Sequence, residues 1–390
     1  MNIVLAPDSF KGSLTAFQAA QTMKKAIKAM NNDYNVVMKP MADGGEGILE
    51  TLLPSMNGEK VPITCTGALG ESVDTFYGIA EEKTAIIEGA NIAGLPQVPL
   101  HQRNPDDTTS FGIGEVIRDA LDAGCTTFII GIGGSATNDG GLGMLQALGM
   151  KAYDKTGEEI GPYGKDVLAF HRADMQAMDP RLKSTTLQIA SDVDNPLCGE
   201  RGATYVYGPQ KGATEQQLAA YDEALYDYGR VLETTLQKHL QQIPGAGAAG
   251  GLGFAFLMLN AILTPGASVA AEAIQLEKAI KEADVVFTGE GQTDEQTIEY
   301  GKTADYIARK AQKYNVPTIL ISGSLQGDMD KVRERFAGCF STVTSTLTLE
   351  ECMENAEALL YEQTKNVLHF IESMHTQFSE SLIKEDEKSE

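Results

Sequence analysis

The sequence predicts an α/β protein: one doubly wound parallel-sheet domain, a second α/β domain inserted into it, and a cleft between them. Three observations carry this. Short apolar runs rich in β-branched residues recur towards both ends of the chain, at Ile3–Ala6, Val36–Met38, Val285–Phe287, Pro317–Ile321 and Phe340–Val343. Polar loops and residues at helical spacing separate them, the alternation that builds a parallel sheet covered by helices. Between these ends, Lys60–Thr66, Val73–Ile79 and Thr84–Glu88 alternate apolar and polar residues, as strands of a half-exposed, partly antiparallel sheet do. The expected division is 1–66 with 284–375 for the parallel domain and 67–283 for the insertion. An acidic tail over 376–390 is expected to be disordered.

In order, Ile3–Ala6 breaks at Pro7-Asp8-Ser9-Phe10-Lys11-Gly12-Ser13, and Thr15-Ala16-Phe17-Gln18 fits a capping box. Phe17, Ala20, Met23, Ile27 and Met30 then mark one helix face. Val36–Met38 leads through Asp43-Gly44-Gly45-Glu46-Gly47 to a short helix around Ile48–Leu53. Ser110–Ala123 reads as a helix that delivers the chain to Phe128-Ile129-Ile130, a strand ending in a Gly-rich turn. That turn, Gly131–Gly143, carries Ser135, Thr137, Asn138 and Asp139 and precedes Leu142, Leu145 and Leu148. Glycines allow close backbone approach, and amides at a helix start point at anions, so a phosphate or carboxylate cradle is expected there. Leu187–Ala190 is a strand running into Ser191-Asp192-Val193-Asp194-Asn195-Pro196, which suits a metal site or a rigid turn. Thr214–Leu240 reads as an amphipathic helix. Pro244–Gly253 is Gly/Ala-rich and fits a close-packed turn beside a ligand, followed by an apolar helix over Phe254–Leu263. Thr288-Gly289-Glu290-Gly291-Gln292-Thr293-Asp294 is another strand-end loop, and Glu351–Met374 a long amphipathic helix.

Composition narrows the function. The chain has 390 residues and a net charge of −23, which repels nucleic acid and anionic membranes over most of its surface. A phosphorylated ligand therefore needs a local basic site. Five scattered cysteines without C-x-x-C spacing point to reduced thiols in the cytoplasm. The start lacks the pattern of a signal peptide, and no apolar run approaches the ~18 residues of a membrane span. The histidines show no metal spacing. Gly131-Ile132-Gly133-Gly134-Ser135-Ala136 fits G-x-G-x-x-A, which keeps a nicotinamide-dependent oxidoreductase of a small hydroxy acid as an alternative. A sensor that binds small acids without turnover is another. Gly301-Lys302-Thr303 ends like a P-loop, but Gln296 stands in place of its first glycine. Five strand-end loops combine Gly with Asp, Glu, Asn or Lys: 8–13, 43–47, 133–141, 192–199 and 289–294. In α/β sheets ligands sit at the carboxyl ends of strands. Few bases beside many carboxylates suggest a hydroxyl substrate, a phosphoryl donor and Mg2+.

Ala6-Pro7-Asp8-Ser9-Phe10-Lys11-Gly12-Ser13, Met41-Ala42-Asp43-Gly44-Gly45-Glu46-Gly47, Gly131–Gly141, Ser191–Leu197 and Thr288–Asp294 resemble, in order and across about 1–372, the bacterial glycerate kinase family of the first type. The resemblance implies a Rossmann-like domain with a large inserted α/β domain. It also implies ATP-dependent phosphorylation of D-glycerate with Mg2+, giving 2-phosphoglycerate by preference and 3-phosphoglycerate as the alternative. On this footing Lys11 neutralises the transferring phosphoryl group or holds the glycerate carboxylate. Gly133, Gly134, Ser135 and Asn138 cradle an anion, ATP phosphate first. Asp192 orients the attacking hydroxyl as a base, while Asp194, Glu290 or Asp294 helps hold Mg2+. Asp8, Asp43 and Ser9 contact glycerate. Closure of the domains, a cytoplasmic monomer or homodimer, and no nucleic-acid or membrane partner complete the expectation.

Overall fold

A computed structural model describes residues 1–42, 47–299 and 301–386. In chain order its main strands are β1 (Asn2–Leu5), β2 (Asn35–Met38), β3 (Glu59–Thr66), β4 (Ser72–Ala80), β5 (Thr84–Glu88), β6 (Thr127–Gly131), β7 (Thr186–Ala190), β8 (Ile262–Thr264), β9 (Val285–Thr288), β10 (Thr318–Ser322) and β11 (Gly338–Ser341). They fall into two compact units, Met1–Met41 with Ile274–Glu390, and Ala42–Ala273.

In the first unit the sheet order is β11-β10-β9-β1-β2, and every pairing is parallel. The chain leaves β1 for β2 on one side and later returns to β9 on the other. The loops after β1 and β9 therefore open at the point where the winding reverses, the usual ligand position in such sheets. Successive β10 residues face opposite layers. Ile319 and Ile321 join a core with Ile3, Leu5, Met23, Ile27, Phe287, Leu360 and Leu368, while Leu320 packs with Ala304, Ala308, Val332 and Phe336. The helix Ala16–Met30 begins as its sequence indicates. Thr15 Oγ1 accepts from the Gln18 amide (3.1 Å) and Gln18 Oε1 accepts from the Thr15 amide (2.9 Å). This helix packs against the C-terminal helix Ala356–Asp386.

The C-terminal region differs from expectation twice. The helix expected over Glu351–Met374 is two helices, Leu349–Glu354 and Ala356–Asp386, parted at Asn355. The second continues as far as Asp386, into the stretch expected to be disordered; no Gly or Pro interrupts 356–386, and its Glu, Lys, Gln and Leu content favours helix.

In the second unit the sheet order is β8-β7-β6-β5-β4-β3. β5 through β8 run parallel, whereas β3–β4 and β4–β5 pair antiparallel, as the alternation over residues 60–90 indicates. Its core includes Tyr77, Ile87, Phe128, Ile130, Leu145, Ile189, Phe254 and Phe256. The apolar helix ends earlier than expected, at Met258. Asn260 turns the chain at φ 63°, and Ile262–Thr264 joins the sheet beside β7. The units divide at 41/42 and 273/274, against the expected 66/67 and 283/284. Packing explains the difference. The helix Ile48–Ser55 lies on β4 and β5, and its Gly47 and Leu49 amides donate to buried Glu88 (2.9 and 3.3 Å). The helix Leu276–Lys281 instead packs on Thr303–Gln312. Among the described residues no helix is long and apolar enough to cross a membrane.

If the C-terminal helix is part of the first core, Leu360→Ala, at a fully buried position, lowers unfolding free energy by about 2–5 kcal/mol. Phe370→Ala, on an exposed position of the same helix, changes it by less than about 0.5 kcal/mol. Urea denaturation measures both.

Candidate active site

The parallel strands β5, β6 and β7 end at Glu88, Gly131 and Ala190, and the loops after β6 and β7 line a cavity of about 380 Å3. Gly133, Gly134 and Ser135 come from the first loop, Ser191 and Asp192 from the second. The first loop is pinned by backbone bonds: Leu95 N to Gly134 O (2.7 Å) and Ala136 N to Ala93 O (2.9 Å).

The expected cradle of helix-start amides is not what forms here. The helix after this loop is only Leu142–Ala147, and its first amides are spent inside the protein. Asp139 is fully buried and accepts from Gly141 N (3.1 Å), Gly143 N (3.2 Å), Ser110 N (3.0 Å) and Ser110 Oγ (2.5 Å). The Met144 amide donates to Ser110 Oγ (3.0 Å). Burial pushes the Asp139 carboxyl above its ordinary range, and these hydrogen bonds oppose that shift. The cavity lies instead along the upstream part of the turn. Asn138 is not among its lining residues; it is fully buried, with Nδ2 donating to Thr204 Oγ1 (3.0 Å). The helix also starts six residues after Ala136, so the G-x-G-x-x-A match does not open a helix as a dinucleotide fingerprint does.

The Gly/Ala run reaches the same cavity through Ala248 and Ala249. Ala249, Gly250 and Gly251 form a left-handed run (φ 53°, 71° and 94°). Close approach requires the glycine in its middle: a Cβ on Gly250 would stand 2.0 Å from the Thr137 carbonyl oxygen.

Asp192 is exposed, and its Oδ1 accepts from the Gly266 amide (2.9 Å) at the start of the helix Gly266–Ala273. Asp194 is exposed and paired with Arg201 (3.1 Å). Asn195 Oδ1 accepts from Tyr207 Oη (2.6 Å), which stiffens the turn. Sequence reasoning missed Lys211. It is 2% exposed, lines the cavity, and donates from Nζ to Ser135 Oγ (3.0 Å) and the Thr137 carbonyl (2.6 Å). Burial lowers its pKa from 10.5 to about 7, with Asp139 pulling the other way. No motif surrounds Lys211 in the sequence, so only its burial reveals it.

In the first unit the loops after β1 and β9 lie together. The Asp8 amide donates to the Gly289 carbonyl (2.8 Å), and Asp8, itself buried, accepts from the Ser9 amide (2.6 Å). Lys11 is exposed. A Cβ on Gly289 would meet the Ile321 carbonyl at 1.9 Å, so the loop hugs β10 only with glycine there. Glu290 is buried and accepts from the hydroxyls of Thr293 (2.7 Å) and Thr297 (3.0 Å); Thr293 Oγ1 also meets Ser322 Oγ at 2.7 Å. Burial raises the Glu290 pKa; the two hydroxyls and Lys302 oppose that, while neighbouring Asp294 adds to it. Asp8, Ser9, Lys11, Glu290 and Asp294 thus belong to the first unit, and Gly133, Gly134, Ser135, Asn138, Asp192 and Asp194 to the second. Asp43 lies outside the described residues. Among the described residues no group of three or more His, Cys, Asp or Glu side chains is placed to hold a metal ion.

Parallel sheets whose strand-end loops present ammonium groups, carboxylates and Gly-rich turns define the class: an α/β protein with polar strand-end loops of the kind that hold small ligands. Comparison with known proteins supplies the family. The model of the glycerate kinase family matches residues 3–372. A glycerate kinase from Halalkalibacterium halodurans is 44% identical over 368 residues, covering 94% of this chain and 97% of that protein. A glycerate 2-kinase from Escherichia coli is 43% identical over 370 residues, again 94% of this chain and 97% of that protein. A crystal structure described as that of a 'putative glycerate kinase 2' from Salmonella typhimurium LT2 superposes with a TM-score of 0.89 at 40% identity, covering 96% of this chain and 99% of that one. The chain belongs to the glycerate kinase family.

The buried lysine predicts a pH effect. Below about pH 7 Lys211 is charged whether the chain is folded or not, and the burial penalty is full. Between about 7 and 10.5 the folded state sheds the proton while the unfolded state keeps it, so stability rises with pH across that window. The urea midpoint of the native protein, minus that of Lys211→Met, is expected to increase over this range.

Proposed function

We infer that this chain is a glycerate kinase that transfers the terminal phosphate of ATP to D-glycerate, with 2-phosphoglycerate the favoured product. The observation that carries this is the near full-length likeness to a protein named glycerate 2-kinase. A glycerate hydroxyl oxygen attacks the terminal phosphorus of ATP, the new O–P bond forms, the bond to the bridging oxygen breaks, and ADP leaves. Little covalent chemistry falls to the protein; positioning and charge stabilisation dominate.

The residues divide that work. Asp192, its carboxylate oriented by the Gly266 amide, accepts the hydroxyl proton. Lys11 neutralises charge on the moving phosphoryl group or holds the glycerate carboxylate, as a compact point charge can. Gly133, Gly134, Ser135 and Asn138 serve the phosphates, with Asn138 acting through the turn because it is not among the cavity-lining residues. Asp8, Ser9 and Asp43 take the glycerate hydroxyls. Glu290 and Asp294 fit Mg2+: buried Glu290 stands beside a second carboxylate, a hard oxygen pair of the kind that, with waters and phosphate oxygens, suits this ion. Asp194, in the second unit and only weakly paired with Arg201 at the surface, is the alternative oxygen donor for the ion. When bound, Mg2+ supplies neutralisation of the polyphosphate. The setting of this reading is a cytoplasmic monomer or homodimer.

A coupled ADP-release assay with D-glycerate and ATP, with phosphorus NMR of the product, tests the reading. Turnover that depends on both substrates and yields 2-phosphoglycerate is expected. NADH binding in a fluorescence titration without ADP release would instead favour the oxidoreductase alternative. Asp192→Asn, which keeps an acceptor for the Gly266 amide, is expected to melt normally and lose about 100-fold or more in kcat. Lys11→Met is expected to lose a comparable factor in kcat/KM. Unchanged kinetics in either variant removes that residue from the site.

A further inference from the structure

Lys211 combines features that a merely structural lysine does not need. It lies almost fully buried, in a protein with net charge −23, yet lines a cavity. Among the described residues no carboxylate lies within ion-pair distance of its nitrogen. An ammonium carries three N–H donors, and two are directed at Ser135 Oγ and the Thr137 carbonyl. Because Ser135 Oγ accepts from Lys211, its own O–H is left to donate elsewhere. On the same loop the buried hydroxyl of Thr137 has no hydrogen-bond partner among the described residues. Leu95, Ile132 and Ala249 add apolar wall, which strengthens any charge interaction inside.

We propose that Lys211 is the anion-binding residue of this cavity, offering its third N–H, together with the Ser135 hydroxyl, to an anionic oxygen of the substrates. The chemistry fits a carboxylate of glycerate or a phosphate of ATP. An incoming anion gives the buried ammonium its counter-charge, so part of the burial penalty is recovered on binding. The proposal rests on the glycerate kinase reading for the identity of the anion, but not for its existence. It differs from the roles given to Lys11, which is exposed and lies in the other unit.

Calorimetric titration of the full chain tests it, using D-glycerate, a non-hydrolysable ATP analogue, adenosine and pyrophosphate with wild type, Lys211→Met and Ser135→Ala. Lys211→Met is expected to weaken at least one anionic ligand by about 10- to 100-fold while adenosine changes by less than about threefold. Loss for glycerate alone assigns the carboxylate; loss for the analogue and pyrophosphate assigns the phosphate. Ser135→Ala, which keeps the charge, is expected to show a smaller loss for the same ligand, and serves as the readout should Lys211→Met not fold. Anion affinities within about threefold of wild type, or a parallel loss for adenosine, overturn the proposal. Pyrophosphate keeps the lysine readable even where glycerate turnover is absent, so this failure and that of the functional reading are distinguishable.

Discussion

Asp139 holds the second unit's turn in place. It is a carboxylate with no solvent exposure, and leaving such a group unsatisfied costs several kcal/mol, roughly. The chain meets that demand with donors from two directions: the Ser110 amide and hydroxyl at the start of the helix Phe111–Asp122, and the Gly141 and Gly143 amides at the start of Leu142–Ala147. Both helix starts are thereby fixed to one point. The preceding residues, Gly133–Ser135, have little freedom left, because Gly134 and Ala136 are bonded to the neighbouring segment at Leu95 and Ala93. A rigid turn is what an anion site needs, since a shift of about 1 Å can undo a productive pose. The carboxylate also acts at longer range by favouring the charged form of Lys211.

The first unit solves a similar problem with backbone and hydroxyls. Parallel strands bring the ends of β1, β9 and β10 side by side, and glycine at 289 lets the loop after β9 lie against Ile321. Glu290 then sits buried at that end, held by the hydroxyls of Thr293 and Thr297. Hydroxyl donors orient a carboxylate without neutralising it. Strand order, more than any single residue, decides which loops share an edge.

Most of this architecture was legible in the sequence. Apolar runs bounded by turn residues located β1, β2, β9 and β10 closely, and Thr15 with Gln18 marked a real capping box. The alternation over 60–90 marked the antiparallel pairs because one face of those strands stays partly wet. What failed depends on tertiary packing. Ile262–Thr264 is apolar enough to continue a helix, and only pairing with β7 makes it a strand. The helix Ile48–Ser55 belongs with β5 through Glu88, whose two contacts lie 41 and 39 residues away in the chain. Loops with Gly beside Asp or Lys were expected at strand ends and lie there, since turn chemistry marks them in the sequence. Asp139 stood in the sequence as one of several polar turn residues, and only the fold shows its carboxylate serving two helix starts. Lys211 carried no signal at all, because burial of a lysine is a property of the folded chain.

These two charges suggest why an acidic protein can hold anionic substrates. With 54 acidic and 31 basic residues, the surface field opposes the approach of phosphates and carboxylates. The pull of a surface lysine on a distant anion fades beyond about a Debye length, 8–10 Å at ordinary ionic strength, because water and salt screen it. A lysine withdrawn from water is screened far less, so in its protonated form an ammonium at the wall of a small cavity acts on a nearby anion more strongly than one in open solvent. The cost is desolvation, visible in the lowered proton affinity of Lys211. The Thr137 carbonyl and the Ser135 hydroxyl offset part of it, and a bound anion would offset more. Selectivity then follows from the same economy of charge: a neutral ligand leaves the ammonium uncompensated, so the pocket discriminates by what an anion relieves.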